Sequence, residues 1–190
     1  MDSNTHSTRR RERLAALTAA IDAFLAQDPD GLPDAALAED TQALRSQIDR
    51  LEGGWLQHLA AIDARGAAGA EQDRQFGSTA GWLRARLRMA AGQATTAVRT
   101  ARALFRGPLP ASGGALMHGE ISVAHAEVLA ASTLHAPDHA IKDAEATLLD
   151  AARRLDPTGL RRLAATSTTP WTLRVRMLPP NAAMNAAGSG

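Results

Sequence analysis

Arginine side chains at helical spacing are the groups in this sequence best suited to binding a partner. One threonine and three arginines, at positions 95, 99, 102 and 106, follow one another at steps of four, three and four, so they fall on one face of a helix. Two further arginines lie one helical turn apart, at positions 84 and 88. Guanidinium groups form paired hydrogen bonds with phosphate oxygens, so this pattern, the arginine face, predicts contact with nucleic acid. The arginine face consists of Arg84, Arg88, Thr95, Arg99, Arg102 and Arg106.

The charges of the chain are segregated along the sequence, although the net charge is only +1. Residues 14–73 contain eleven acidic residues and three arginines, whereas residues 74–119 contain seven arginines and no acidic residue. Such asymmetry is a better guide to partners than the net charge. Three interpretations of the basic segment stay open: contact with nucleic acid, contact with an acidic surface (of another protein or of this chain), and a solvated arginine face.

No set of residues has the spacing of an active site. The chain lacks cysteine, which excludes disulfides, zinc fingers and thiol nucleophiles, and the common phosphate-binding, hydrolase and metalloprotease motifs are missing. His135 and His139 have the i, i+4 spacing of metal ligands, but Pro137 lies between them in a predicted loop. His125 falls in an apolar helix and is predicted to be a hydrogen-bonded core residue. We therefore predict no catalytic residue, no cofactor and no metal site.

Composition predicts an all-α protein. Alanine supplies 42 residues, valine and isoleucine together supply nine, and aromatic residues make up 3% of the chain, a balance that favours helices over strands. No run approaches the roughly 18 apolar residues of a membrane span, and the N-terminus lacks the apolar stretch of a secretory signal. A cytoplasmic location is expected, since the absence of cysteine fits a reducing compartment.

The longest predicted element is a helix over residues 34–65, preceded by an N-terminal helix (9–27) and a turn (28–33). Apolar residues recur along it at steps of three and four, which is typical of a seam that faces a partner helix. Gly53 and Gly54 lie in its middle and predict a kink. Its acidic residues are predicted to form a solvated polar face. The seam consists of Leu37, Leu44, Ile48, Leu51, Trp55, Leu59 and Ile62, with Thr41 in its one gap, and the polar face of Glu39, Asp40, Asp49, Glu52 and Asp63.

The arginine face is predicted to lie on two helices joined by a short turn. Ser78 or Thr79 caps the first helix, and the second spans residues 93–105. The side of the second helix opposite the arginines is predicted to pack inward, through Ala94, Ala97, Val98, Ala101, Leu104 and Phe105. A short helix, a tight turn and an arginine-bearing helix form the outline of a helix-turn-helix, although Arg88 stands where the turn commonly has glycine. Further short helices are predicted over residues 112–118 and after caps at Ser122, Asp138 and Asp156.

Four segments, taken together, resemble one bacterial family. They are residues 78–83 (STAGWL), 97–104 (AVRTARAL), 119–126 (GEISVAHA) and 155–164 (LDPTGLRRLA). In this order and spacing they resemble the bacterial domain of unknown function 222 over residues 44–165. The resemblance implies a helical accessory domain that often precedes a C-terminal HNH endonuclease domain. Because no histidine follows His139, the metal-binding histidines of that nuclease are missing, and a truncation before the nuclease is expected.

These observations predict a non-catalytic helical module. It would comprise an N-terminal helix and linker (1–33), an irregular multi-helix bundle with one long helix and a helix-turn-helix-like pair (34–165), and a disordered or truncated tail (166–190). The predicted function is an accessory role beside an HNH-type nuclease, with DNA contact through the arginine face. The alternatives are an interaction or self-association module that uses the helix from Leu44 to Ile62, and an inactive fragment. No small-molecule substrate is predicted.

Overall fold

The computed structural model describes residues 3–67, 76–134 and 137–165. Within these ranges the chain forms eight α-helices, one short 3-10 helix and no strand, which confirms the predicted all-α class. None of the described helices combines the length and apolarity that crossing a bilayer requires. The helices are α1 (Ser3–Leu25), α2 (Asp34–Ala64), α3 (Thr79–Leu87), α4 (Ala91–Phe105), α5 (Pro110–His118), α6 (Val123–Ser132), α7 (Asp138–Arg154) and α8 (Pro157–Ala165).

The chain divides into two compact units, of which the first is Met1–Leu44. It contains α1, the 3-10 helix Pro29–Gly31 and the first residues of α2. The apolar side chains of α1 are exposed, from 38% at Leu17 to 72% at Leu25. Among its described residues, this unit therefore has no buried core of its own.

The second unit, Arg45–Gly190, contains the hydrophobic core. Its central helix is α4, which packs against α3, α5 and α6. Small residues such as Ala94 and Ala101 are fully buried on α4, and their size allows neighbouring helices to approach closely. Leucine residues from seven helices fill the space around them. These are Leu56, Leu59, Leu83, Leu104, Leu116, Leu129, Leu148 and Leu160.

Side-chain caps begin three of the helices, as predicted. Ser78, Ser122 and Asp156 precede α3, α6 and α8, and each accepts a hydrogen bond from the backbone N–H three residues later. The predicted cap at Asp138 is wrong, because Pro137 holds the cap position of α7 without a side-chain hydrogen bond. Asp138 is instead the first helical residue, where a carboxylate interacts favourably with the helix dipole.

α2 continues as one helix through Gly53 and Gly54, and the kink that the sequence predicts there stays a prediction. The two glycines have different surroundings. A Cβ atom at Gly53 would lie 3.1 Å from Cγ of Met117 and 3.2 Å from Cγ of Leu116, whereas one at Gly54 would meet nothing within 4 Å. Gly53 therefore allows α2 to approach α5 closely, and Gly54 has no such packing role.

Some sequence predictions concern residues outside the described ranges. These are the predicted tail, residues 166–190, and His135. The predicted segment boundaries at residues 33 and 165 stay predictions as well.

Candidate nucleic-acid interface

Helix α4 is the second of the two helices that carry the arginine face, and its part of this face is directed toward solvent. Beyond the first turn of α4, only Thr95 and Arg102 are exposed within the helix, while Arg99 is half-buried and Arg106 is exposed at the C-terminal cap. The opposite side packs into the core, as the spacing predicts. The residues on that side are Ala94, Ala97, Val98, Ala101 and Leu104.

The turn between α3 and α4 comprises residues 88–90, and α4 begins at Ala91, two residues before the predicted start at residue 93. Arg88 ends α3 with a φ of 55° and a ψ of 31°. Among the described residues, it is the one non-glycine residue with a positive φ. This left-handed conformation favours glycine and costs an L-residue about 1–2 kcal/mol. The turn therefore has the left-handed conformation of the glycine that is common in a helix-turn-helix, but an exposed arginine occupies the position.

Arg102 is tied to another helix through Asp63. Its Nε donates a hydrogen bond to Oδ2 of Asp63 at 2.5 Å and its Nη2 donates to Oδ1 at 2.9 Å, and the hydroxyl of Thr79 donates to the same carboxylate at 2.7 Å. The hydrogen bond from Arg102 outweighs the effect of burial and, with that from Thr79, holds the pKa of Asp63 below its ordinary value. Asp63 thus joins the end of α2 to α3 and α4. The side chain of Arg102 is still 63% exposed.

Arg99 is partly withdrawn from solvent. Its Nη2 lies 3.4 Å from Oγ1 of Thr96, and its Nε is buried without a hydrogen-bond partner among the described residues. Arg99 is therefore the least accessible of the five arginines in the arginine face.

The other arginines of this region have different surroundings. Arg84, Arg88 and Arg106 are exposed, and no side-chain partner is found for them within the described part of the chain. The guanidinium carbon of Arg86 lies 5.7 Å from the ring centroid of Phe76, within the range of a cation–π contact. Sequence reasoning missed this contact because the two residues are ten positions apart, which is not a helical spacing.

Asp49 and Asp63 correct the prediction of a solvated polar face on α2. Asp49 is 5% exposed, and its Oδ1 accepts a hydrogen bond from the N–H of Val123, the first residue of α6, at 3.0 Å. Arg45 donates to both oxygens of this carboxylate, at 3.0 and 2.6 Å. Burial raises the pKa of Asp49, but the hydrogen bonds from Arg45 and Val123 together hold it below its ordinary value. Asp49 is buried and Asp63 is half-buried, and each carboxylate joins α2 to another helix.

His125 is hydrogen-bonded on both ring nitrogens, as predicted, but it is half-buried and does not belong to the core. Its Nδ1 accepts a hydrogen bond from the N–H of Ser122 at 3.3 Å, and its Nε2–H donates to the carbonyl oxygen of Leu155 at 2.8 Å. The hydrogen bond to Leu155 therefore joins two of the four segments that carry the family resemblance, residues 119–126 and 155–164. A surface ion pair between Arg153 and Glu120 lies beside these segments in the sequence.

A family model described as a domain of unknown function, DUF222, matches residues 34–169. The chain belongs to the DUF222 family. This confirms the resemblance and extends it to the start of α2. No curated protein and no solved structure matches the DUF222 chain. The matched region contains the whole arginine face, whereas α1 lies outside it.

The stability of the DUF222 chain is expected to fall in acid because of Asp49 and Asp63. Both carboxylates have pKa values below the ordinary value, which is about 3.9. Their contribution to the free energy of unfolding is fully present above that ordinary value and is lost as the pH falls through the lower pKa of the folded state. Urea unfolding at a series of pH values measures this loss.

The free energy of unfolding of the double variant Asp49→Asn/Asp63→Asn is expected to depend less on pH over the same range than that of the wild type. Glu39→Gln, which removes an exposed carboxylate from the same helix, is the matched control. An acid-induced loss as steep in the double variant as in the wild type would contradict the prediction.

Proposed function

We propose that this DUF222 chain is a non-catalytic helical accessory module that contacts DNA through the arginine face. The proposal is carried by one observation, that the solvent side of α4 and the turn before it present arginines. No acidic residue occurs from residue 74 to residue 119. Arginine side chains bind backbone phosphates without regard to base sequence. The proposed place of the module, beside an HNH-type nuclease, is what the family resemblance implies.

The three arginines without a described partner are the principal contacts in this proposal. Arg102 already forms two hydrogen bonds with Asp63, and the Nε of Arg99 is buried. Arg84, Arg88 and Arg106 are exposed at the end of α3, in the turn and at the end of α4. A short helix, a tight turn and a longer helix are also the arrangement with which many proteins approach duplex DNA.

Titration with duplex DNA at several salt concentrations tests this function. The logarithm of the binding constant should fall linearly with the logarithm of the salt concentration, by roughly 0.9 for each phosphate that is neutralised. The triple variant Arg84→Gln/Arg88→Gln/Arg106→Gln is therefore expected to reduce the slope by about 2.7 and to weaken binding at low salt. Circular dichroism confirms that the variant keeps its helix content.

The matched control removes the same charge from exposed arginines of α1, as Arg9→Gln/Arg10→Gln/Arg11→Gln. This control is expected to bind DNA more tightly than the test variant and to keep a steeper salt dependence. The proposal is overturned if the wild-type chain does not bind, if its binding does not depend on salt, or if both triple variants lose the same affinity.

A further inference from the structure

The middle part of the seam on α2 is exposed, although its residues are large and apolar. The exposed fraction is 38% at Leu44, 39% at Ile48 and 46% at Leu51. These three residues are called the exposed seam. One turn later, the half-buried Trp55 packs against the core, and two turns later Leu59 is buried in it. Since α2 is one uninterrupted helix, the same face leaves the core and continues into solvent. A contiguous set of exposed apolar side chains marks a surface that another element covers.

The exposed seam borders an open groove of about 870 Å³. Apolar side chains that line the groove include Ile48, Leu51 and Trp55 of α2 and Met89 and Val123 from beyond α2, and two acidic side chains, Glu52 and Glu127, also line it. An open groove with mainly apolar walls suits the apolar face of a helix laid beside α2. The seam of α2 is itself such a face.

The charges beside the seam favour a second copy of this chain as the partner, in antiparallel direction. With Ile48 and Leu51 at the a and d positions of a heptad, Arg45 and Glu52 both occupy e positions. Two helices in antiparallel orientation place e positions opposite e positions, so Arg45 of one copy faces Glu52 of the other, twice over. A parallel pair would place e opposite g, and both g positions in this region, Gln47 and Gly54, are uncharged.

Arg45 can serve this second contact without leaving its first. It uses Nε and Nη2 on Asp49, and its side chain is 56% exposed. The Nη1 group is thus available to donate a hydrogen bond to Glu52 of a second copy.

We propose that α2 pairs with α2 of a second copy of this chain, antiparallel and across a twofold axis. Ile48 of each copy lies opposite Leu51 of the other, and the side chains of each exposed seam enter the groove of the other copy. A twofold pair of this kind is closed, because the same patch is used on both sides.

Sedimentation equilibrium over a range of concentrations tests the pairing. The wild-type chain is expected to show the mass of a dimer that dissociates on dilution, and Ile48→Ser/Leu51→Ser is expected to sediment as a monomer. Leu14→Ser/Leu17→Ser, which alters two exposed apolar residues of α1, is the matched control and is expected to remain dimeric. A wild-type chain that stays monomeric at its highest soluble concentration overturns the proposal, as does equal dissociation in test and control.

Cysteine cross-linking tests the direction, because the chain has no cysteine of its own. In the antiparallel register, position 47 of one copy lies opposite position 54 of the other. A mixture of Gln47→Cys and Gly54→Cys chains is therefore expected to form a disulfide-linked dimer, and each variant alone is expected to form little. A wild-type dimer whose mixed variants fail to cross-link, or whose single variants cross-link as well as the mixture, overturns the antiparallel arrangement.

Discussion

Replacement of Asp49 by alanine is expected to lower the free energy of unfolding by about 2–4 kcal/mol. The carboxylate is 5% exposed and accepts the hydrogen bond of Val123 at the first position of α6. Without it, an N–H group at the start of α6 loses its acceptor, and Arg45 loses both of its hydrogen bonds. Urea unfolding at neutral pH, followed by circular dichroism, measures the change.

Two further variants separate the causes of this loss. Asp49→Asn keeps an oxygen for the N–H of Val123 and removes the charge that binds Arg45, so its cost is expected to be intermediate. Glu39→Ala, at an exposed position of the same helix, is expected to change stability by less than about 0.5 kcal/mol. If Asp49→Ala costs no more than Glu39→Ala, Asp49 does not join α2 to α6 in the folded protein.

Replacement by leucine is expected to have opposite effects on the stability of the chain at Gly53 and at Gly54, two neighbouring residues of α2. Leucine at Gly53 has to fit where even a Cβ atom would lie 3.1 Å from Met117 and 3.2 Å from Leu116, and such overpacking costs about 1–3 kcal/mol. Leucine at Gly54 meets nothing within 4 Å of its Cβ position and is a much better helix former. Gly54→Leu is therefore expected to stabilise the chain by up to about 0.8 kcal/mol.

The measurement is the midpoint and slope of urea unfolding for the two single variants and the wild type. The two glycines are matched in residue type, helix and position from the helix ends, so the difference between the variants reports the close approach of α2 to α5. Equal stabilisation by both substitutions would contradict the packing role of Gly53.

Helix periodicity predicted the elements and the direction in which α4 faces. The spacing of Ala94, Ala97 and Leu104 identified the buried side of that helix, and the arginine face is on the other side. These predictions succeed because a helix repeats every 3.6 residues, so the pattern of burial is written locally. The cap at Ser122 was predictable for the same reason, since its acceptor and its donor lie three residues apart.

Contacts between distant residues were not predictable in this way. Asp49 and Asp63 have the sequence surroundings of solvated carboxylates on an acidic helix, and nothing local distinguishes them from Glu39. Their partners Val123 and Arg102 lie 74 and 39 residues away. Charge segregation made an intramolecular partner for the arginines one of the open interpretations, but the sequence could not say which arginine would be used. The structure identifies Arg102.

The same contacts join, in pairs, the four segments on which the resemblance to this family rests. Thr79 and Arg102, from the first two segments, both bind the carboxylate of Asp63, and His125, from the third, binds the carbonyl oxygen of Leu155 in the fourth. In this chain, these residues therefore hold helices together, and a ligand would be bound mainly by side chains that face outward.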